Sequence, residues 1–151
     1  MVFTGIVEGT GIISKIIRKE NLSSMIIQTS SEFNKGIQVG ASVCVDGVCL
    51  TATKINLDSL EFDVIIETLN VTTFGDIRTK SVVNIERSMK LGDEIGGHII
   101  SGHVFDTVII KEINKPKNNY ILTLKCNSRL QKYIFSKGYI SLNGISLTIG
   151  E

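Results

Sequence analysis

The sequence has no tryptophan, one proline and only three cysteines. An odd, small number of cysteines cannot form a disulfide framework, which indicates a reducing cytoplasm. The 16 Lys and Arg nearly balance the 15 Asp and Glu, so a basic surface for nucleic acid or an anionic membrane is not expected. No apolar run approaches the roughly 18–20 residues of a membrane span, and Met1–Gly5 does not begin a secretory signal. We therefore expect a soluble, cytoplasmic globular protein.

The hydrophobic pattern predicts β-structure. Short β-branched segments bounded by Gly, Asn, Asp or Ser recur about every 10–15 residues, as in an all-β sandwich or barrel; examples are residues 11–17, 24–29 and 60–66. Asp46-Gly47 and Asn143-Gly144 each lie between two such segments and predict two-residue hairpin turns, which require positive φ.

Helix is predicted at only two places. Ser31–Lys35 is expected to form a single turn. Ser128–Ser136 places Leu130, Tyr133 and Ile134 on one face, which predicts a short amphipathic helix ended by Gly138.

The two hairpins belong to an internal repeat. Val45–Thr51 matches Leu142–Thr148 at an offset of 142 − 45 = 97 residues. At the same offset and in the same order, residues 4–7 match 101–104, and residues 31–33 match 128–130. Three matches at one offset predict a duplicated unit. We place the first unit at residues 1–88, a linker at 89–97 and the second unit at 98–151.

The second unit is predicted to be incomplete in this sequence. Glu151 corresponds to Lys54, so counterparts of the strands near residues 62–66 and 82–86 are missing. A barrel cut there would leave strand edges unpaired, so we expect a complete chain about 35 or more residues longer. The intact mass of the expressed protein tests this expectation.

Several motifs together resemble the riboflavin synthase α-chain family, and the resemblance extends over the whole sequence. Its most specific part runs from Asp93 through Ser101-Gly102-His103. The other matching segments are Phe3–Gly9, Gly40–Val43, Asp46–Thr51, Phe62-Asp63 with Glu67–Leu69, Thr73–Gly75, and Gly144–Thr148 with Gly150-Glu151. Between them, Ile65-Ile66 is more apolar than the family pattern.

The resemblance implies an all-β fold of two tandem six-stranded Greek-key β-barrels, the second incomplete here. Each barrel is expected to hold one 6,7-dimethyl-8-ribityllumazine. The implied transferase reaction is a dismutation and the last step of riboflavin biosynthesis: one lumazine donates four carbons to another, giving riboflavin and 5-amino-6-(ribitylamino)uracil. No metal or cofactor is expected. The resemblance also implies a homotrimer, with lumazine synthase as a candidate partner.

A duplicated pocket suits a reaction between two copies of one molecule. Aligning two bound reactants replaces a bimolecular encounter by an oriented one, which can contribute roughly 7–11 kcal/mol in the best cases.

The candidate catalytic residues are His103, Cys49, Ser42 and Ser146. His103 is expected to move protons to or from the lumazine 7-methyl group, or to hold the substrate; the alternative is a structural histidine. Cys49 is interpreted as a nucleophile or proton donor, or alternatively as a small buried hydrophobe. Ser146 is expected to hydrogen-bond the ring. Ser42 is either a polar contact at the pocket or a surface strand residue.

The candidate substrate-binding residues lie in the two repeated segments at residues 5–7 and 102–104, in the two hairpins, at residues 63–68 and at Lys137. Thr51 and Thr148 are alternatively ordinary strand formers, Glu67 a solvated carboxylate, and Lys137 a cation at a helix C-terminus. Besides Cys49, His103 and Ser146, the set comprises Gly5, Ile6, Val7, Leu50, Thr51, Asp63, Val64, Ile65, Ile66, Glu67, Thr68, Gly102, Val104, Lys137, Leu147 and Thr148.

The remaining histidine is not expected to share a metal with His103. His98 precedes His103 by five residues, so on a strand the two rings would point to opposite faces, which argues against a shared metal. Cys44 and Cys126 are interpreted as core or strand residues.

Two other functions compete with the enzyme. A non-catalytic lumazine or flavin carrier of the antenna type needs only one working pocket, whereas both hairpins and the Ser101-Gly102-His103 triplet are intact here. A structural or nucleic-acid-binding barrel is disfavoured by the lack of basic patches with interleaved aromatics.

Overall fold

The computed structural model describes residues 1–150, and its first part is a closed antiparallel barrel of six strands. The order around the barrel is β1-β2-β5-β4-β3-β6, and β6 closes it by pairing with both β1 and β3. The predicted all-β class is therefore confirmed. The strands are β1 Gly9–Arg18, β2 Leu22–Gln28, β3 Ser42–Val45, β4 Val48–Ile55, β5 Ser59–Ile65 and β6 Val82–Arg87.

The barrel forms because its strands alternate between apolar and polar residues. In β5, Leu60, Phe62 and Val64 are buried while the residues between them face outward, as the period of two in a strand requires. The helices α1 (Ser31–Asn34) and α2 (Ile66–Val71) and a 3₁₀ turn (Thr73–Gly75) each add one large apolar side chain to the same core. These side chains are Phe33, Leu69 and Phe74.

Both predicted hairpin turns are confirmed. Asp46 and Gly47 have φ of 45° and 84°, and Asn143 and Gly144 have φ of 47° and 81°. Consecutive positive φ values are those of a type I′ turn, the type that matches the twist of the adjoining strands.

The second part of the chain contains two separate two-stranded sheets. One pairs β7 (Ile109–Asn114) with β8 (Ile121–Lys125), and the other pairs β9 (Tyr139–Leu142) with β10 (Ile145–Thr148). Every residue of β7 is exposed, including its three isoleucines. In the described residues this half is thus an incomplete barrel-like set, as expected.

The helix predicted at Ser128–Ser136 is wrong in type and length. The segment is a 3₁₀ helix at Ser128–Tyr133 with no buried residue, and Tyr133 is 56% exposed. A short helix gains most of its stability by burying an apolar face, and this face is only partly covered: Leu130 and Ile134 are half-buried, and Tyr133 contacts Phe105 edge-on with ring centroids 5.6 Å apart. The single turn predicted at Ser31–Lys35 is confirmed as α1, which is capped by the Ser30 hydroxyl.

The two halves meet through reciprocal backbone contacts. Phe3 and Ile100 exchange both N–H···O hydrogen bonds, at 2.8 and 2.9 Å. The amide of Cys49 donates to the Gly102 carbonyl at 2.8 Å, and the amide of Ser146 donates to the Gly5 carbonyl at 2.9 Å. The start of the chain therefore crosses to the second hairpin, and the segment after Ile100 crosses to the first.

Among residues 1–150, no helix is both long and apolar enough to cross a membrane.

Candidate functional site

A polar cavity of about 410 Å³ lies beside the second hairpin. It is formed by a glycine-rich segment, the turn before β9, and β10. It brings together four of the predicted site residues, Lys137, Ser146, Leu147 and Thr148. The full lining is Gly96, Gly97, His98, Lys137, Gly138, Tyr139, Ser146, Leu147 and Thr148.

Ser146 lies against His98 in this cavity. The Ser146 Oγ and His98 Nδ1 atoms are 2.6 Å apart. The imidazole ring packs on Tyr139 with ring centroids 4.3 Å apart, and the His98 amide donates to the Thr4 carbonyl at 3.0 Å. Burial lowers the pKa of His98 below its ordinary value, because desolvation disfavours the charged imidazolium.

Close packing explains the glycines at this site. Gly97 has room for no side chain, since a Cβ there would lie 2.8 Å from the Ser146 Cβ as well as against the Thr4 carbonyl. Gly5 has φ of +76°, and a Cβ on it would lie 2.7 Å from the Ser146 Cβ. The Gly5 backbone therefore lies directly against the second hairpin. Ile6 follows as an exposed side chain near Gly96.

A buried carboxylate holds this first segment in place. Glu86 is only 4% exposed. Its Oε1 accepts from the Thr4 amide at 2.6 Å and from the Thr4 hydroxyl at 2.8 Å, and its Oε2 accepts from the Gly5 amide at 3.1 Å. Glu86 thus satisfies three donors and fixes the segment that reaches Ser146.

The first hairpin is built in the same way with different side chains. A Cβ on Gly102 would lie 2.6 Å from the Cys49 Cβ, and Gly102 has φ of +75°. The Cys49 thiol donates to the Met1 Sδ at 3.0 Å. Val104 packs against the barrel core, whereas His103 is exposed and its amide donates to the Ser101 hydroxyl at 3.2 Å.

The predicted binding segment at residues 63–68 lies where β5 ends and α2 begins. Asp63 is exposed and its carboxylate accepts from the Ser24 hydroxyl at 2.6 Å. Ile65 and Ile66 are about half exposed, at 54% and 48%. Glu67 is exposed, and the Thr68 carbonyl accepts from Thr72 Oγ1 at 2.6 Å.

Two of the predicted binding residues contribute their side chains to the core. Leu50 is 4% and Val64 is 1% exposed, and both belong to the apolar cluster inside the barrel. Only their backbone atoms can face a ligand. Val7 is half-buried, whereas Thr51 on β4 is exposed.

Ser42 lies in a different cavity from Ser146. This second cavity, of about 220 Å³, is lined by Ser42, Arg87, Ser88 and neighbouring residues, and it shares no lining residue with the first. The Ser42 carbonyl accepts from the Ser88 hydroxyl at 3.0 Å.

The three cysteines are free thiols in different environments. Cys44 is 2% exposed and packs with Phe3 and Ile100. Burial, together with the nearby Glu86 carboxylate, raises the pKa of the Cys44 thiol to about 12. Cys49 and Cys126 are only half-buried. Across the described residues, no group of three or more His, Cys, Asp or Glu side chains is arranged to hold a metal ion.

Sequence reasoning missed His98, Tyr139 and Glu86. The repeat contained a signal for the first of these. His98 follows Met1 by 97 residues, and Ser146 follows Cys49 by 97 residues. The pair His98–Ser146 therefore corresponds, in the repeat, to the pair Met1–Cys49.

Comparison with known proteins identifies several relatives. The family model of the lumazine binding domain matches residues 4–88 and 101–151. A riboflavin synthase of Escherichia coli (strain K12) is 43% identical over 150 residues, which cover 99% of this chain and 70% of that protein. One from Buchnera aphidicola subsp. Schizaphis graminum is 45% identical, with coverage of 99% and 72%.

A solved structure of LumP complexed with 6,7-dimethyl-8-(1′-D-ribityl) lumazine is also similar. It superposes with a TM-score of 0.87 at 27% identity, over 99% of this chain and 80% of that one.

Proposed function

This chain belongs to the lumazine-binding domain family and, within it, to the riboflavin synthases, and we propose how its two halves divide the reaction. The activity is a transferase reaction in which two molecules of 6,7-dimethyl-8-ribityllumazine give riboflavin and 5-amino-6-(ribitylamino)uracil. One lumazine acts as donor of four carbons and the other as acceptor.

The observation that carries this proposal is the reciprocal pair of glycine contacts. The Cys49 amide binds the Gly102 carbonyl, and the Ser146 amide binds the Gly5 carbonyl. These pairs are related by the same 97-residue offset, which supports an internal repeat. A reaction between two identical heterocycles requires two corresponding binding sites, because each reactant must be held in its own orientation.

The chemistry of the cavity beside the second hairpin fits a ribityl heterocycle. Its volume of about 410 Å³ is in the usual range of roughly 300–1,000 Å³ for small-molecule sites. The lining offers the Ser146 and Thr148 hydroxyls and the Lys137 ammonium. Hydroxyls both donate and accept, as sugar-like hydroxyl groups and a heterocycle edge require.

We assign the residue roles on this basis. In the first site, Cys49 contacts the ligand, and His103 exchanges protons with the 7-methyl group. In the second site, Ser146 contacts the ring. Ser42 is assigned a polar contact with the ligand in the assembled enzyme. The residues proposed to line the two sites are Gly5, Ile6, Val7, Leu50, Thr51, Asp63, Val64, Ile65, Ile66, Glu67, Thr68, Gly102, Val104, Lys137, Leu147 and Thr148, with Leu50 and Val64 acting through their backbones.

We further propose a cytoplasmic homotrimer with lumazine synthase as a partner. The family resemblance supports the assembly, in which the first barrel of one subunit faces the second unit of the next. The three free thiols support a reducing compartment.

Incubation of the purified protein with 6,7-dimethyl-8-ribityllumazine tests the proposed reaction. Absorbance and chromatography follow the loss of lumazine and the appearance of riboflavin and the pyrimidine product. We expect two lumazines to disappear for each riboflavin formed. Tight binding without turnover would instead establish a carrier like LumP, and neither binding nor turnover would refute both functions.

A further inference from the structure

The two hairpins share their backbone contacts but differ in one pair of side chains. At the first hairpin, the Cys49 thiol lies 3.0 Å from the Met1 thioether. At the corresponding place in the second, the Ser146 hydroxyl lies 2.6 Å from the His98 imidazole. A thioether sulfur is only a weak hydrogen-bond acceptor, whereas a neutral imidazole nitrogen binds a proton near neutral pH. Only the second pair can therefore take up a proton.

Several contacts hold the His98 ring at this distance. Tyr139 packs on one side of the ring, the His98 amide is bound to the Thr4 carbonyl, and Gly97 brings the backbone against Ser146. The ionisable groups nearby are Lys137, which lines the same cavity, Tyr139, and Glu86, whose carboxylate binds the Thr4 amide. Burial, which lowers the pKa of His98, favours the neutral ring that is able to accept a proton.

We propose that His98 is a positioning residue that accepts the Ser146 hydroxyl proton at Nδ1 and so turns the Ser146 Oγ into a proton acceptor facing the cavity. The inference rests on the proposed function. When a bound ribityllumazine loses a proton from carbon to the Ser146 Oγ, the original hydroxyl proton of Ser146 passes to His98 Nδ1. The ligand is then an anion and the imidazole a cation, and the reverse transfer restores both.

The tautomer of His98 tests the geometry without any turnover. The chain has two histidines, so long-range ¹H–¹⁵N NMR of the protein, with His98→Gln and His103→Gln for assignment, resolves each ring. We expect His98 in the free protein to be neutral, with its proton on Nε2. A proton on Nδ1 would make the ring a donor to Ser146 and would overturn the inference.

Kinetics test the role. A glutamine at position 98 retains an acceptor oxygen but cannot be protonated. We expect His98→Gln to lower kcat by about 10²-fold, the scale of general acid–base catalysis, with KM changed by less than about three-fold. The double variant His98→Gln/Ser146→Ala should be no slower than Ser146→Ala alone, because His98 acts through that hydroxyl.

The pH profile separates this role from a structural one. In the wild type, kcat should fall as His98 becomes protonated on acidification, and this acidic limb should be absent from His98→Gln. Persistence of the limb in His98→Gln together with its loss in His103→Gln would assign the titration to the other histidine and overturn the inference. A wild type that forms no riboflavin would refute the proposed function, while the NMR result would still report on the His98–Ser146 pair.

Discussion

Replacing Glu86 by glutamine is expected to weaken both the fold and the second binding site. The carboxylate accepts three hydrogen bonds from Thr4 and Gly5 while it is 4% exposed. Glutamine keeps one acceptor oxygen and puts an NH₂ group in the place of the other. If the remaining oxygen stays with Thr4, the Gly5 amide faces a second donor and loses its partner.

The size of the effect follows from that unsatisfied donor. Leaving a buried hydrogen-bonding group without a partner costs about 1–3 kcal/mol. For a chain of this length each kcal/mol lowers Tm by roughly 2–4 °C, so Glu86→Gln should melt about 2–12 °C lower. Because the Gly5 carbonyl binds the Ser146 amide, the same change should also raise the Kd for ribityllumazine at the second site.

Differential scanning calorimetry and lumazine fluorescence titration measure these two effects. Glu8→Gln is a matched control, since the Glu8 side chain is exposed and its carboxylate accepts one hydrogen bond, from the Arg87 amide at 2.6 Å. We expect the control to change stability by less than about 0.5 kcal/mol. Equal melting temperatures for the two variants would refute the role given to Glu86.

Three further predictions concern other contacts. Chemical denaturation should show that Gly102→Ala destabilises the protein clearly more than Gly40→Ala. Both glycines have positive φ, but a Cβ on Gly102 would lie against Cys49 backbone atoms, whereas nothing lies within 4 Å of the Gly40 Cβ position. Equal losses of unfolding free energy in the two variants would contradict this. His103→Ala should lower kcat more than lumazine affinity, and an unchanged kcat would place the ring outside the chemistry. The pKa of Cys44 is raised from 9.0 to about 12, so above pH 9 the folded thiol stays protonated while the unfolded thiol ionises. The free energy of unfolding should therefore fall by up to about 1.4 kcal/mol per pH unit from pH 9 upward. Cys44→Ala should flatten this pH dependence, and an identical dependence in the variant would contradict the assignment.

The first barrel was predictable because its determinants are local. Asp46-Gly47 specifies a turn through its backbone dihedral angles, and alternation such as that of residues 60–64 specifies which face is buried. The helix α2 (Ile66–Val71) was not predictable in this way, since β-branched Ile66 and Val71 favour a strand. It forms where Leu69 reaches the barrel core, which is a tertiary effect that overrides local preference.

The site residues that were missed depend on contacts between distant parts of the chain. Residues 96–98 are not in a strand, so the rings of His98 and His103 do not follow the alternation that a strand would impose. Glu86 lies on the outer side of β6, a position that is normally solvated. It is buried by a segment 82 residues earlier, which no local pattern reveals.

A crystal structure of the protein with 6,7-dimethyl-8-ribityllumazine tests the central claim most directly. The account predicts one ligand beside the Cys49 hairpin in contact with Gly102, and a second beside the Ser146 hairpin in contact with Gly5. Ligand density elsewhere on the chain, with both hairpins unoccupied at saturation, would contradict it.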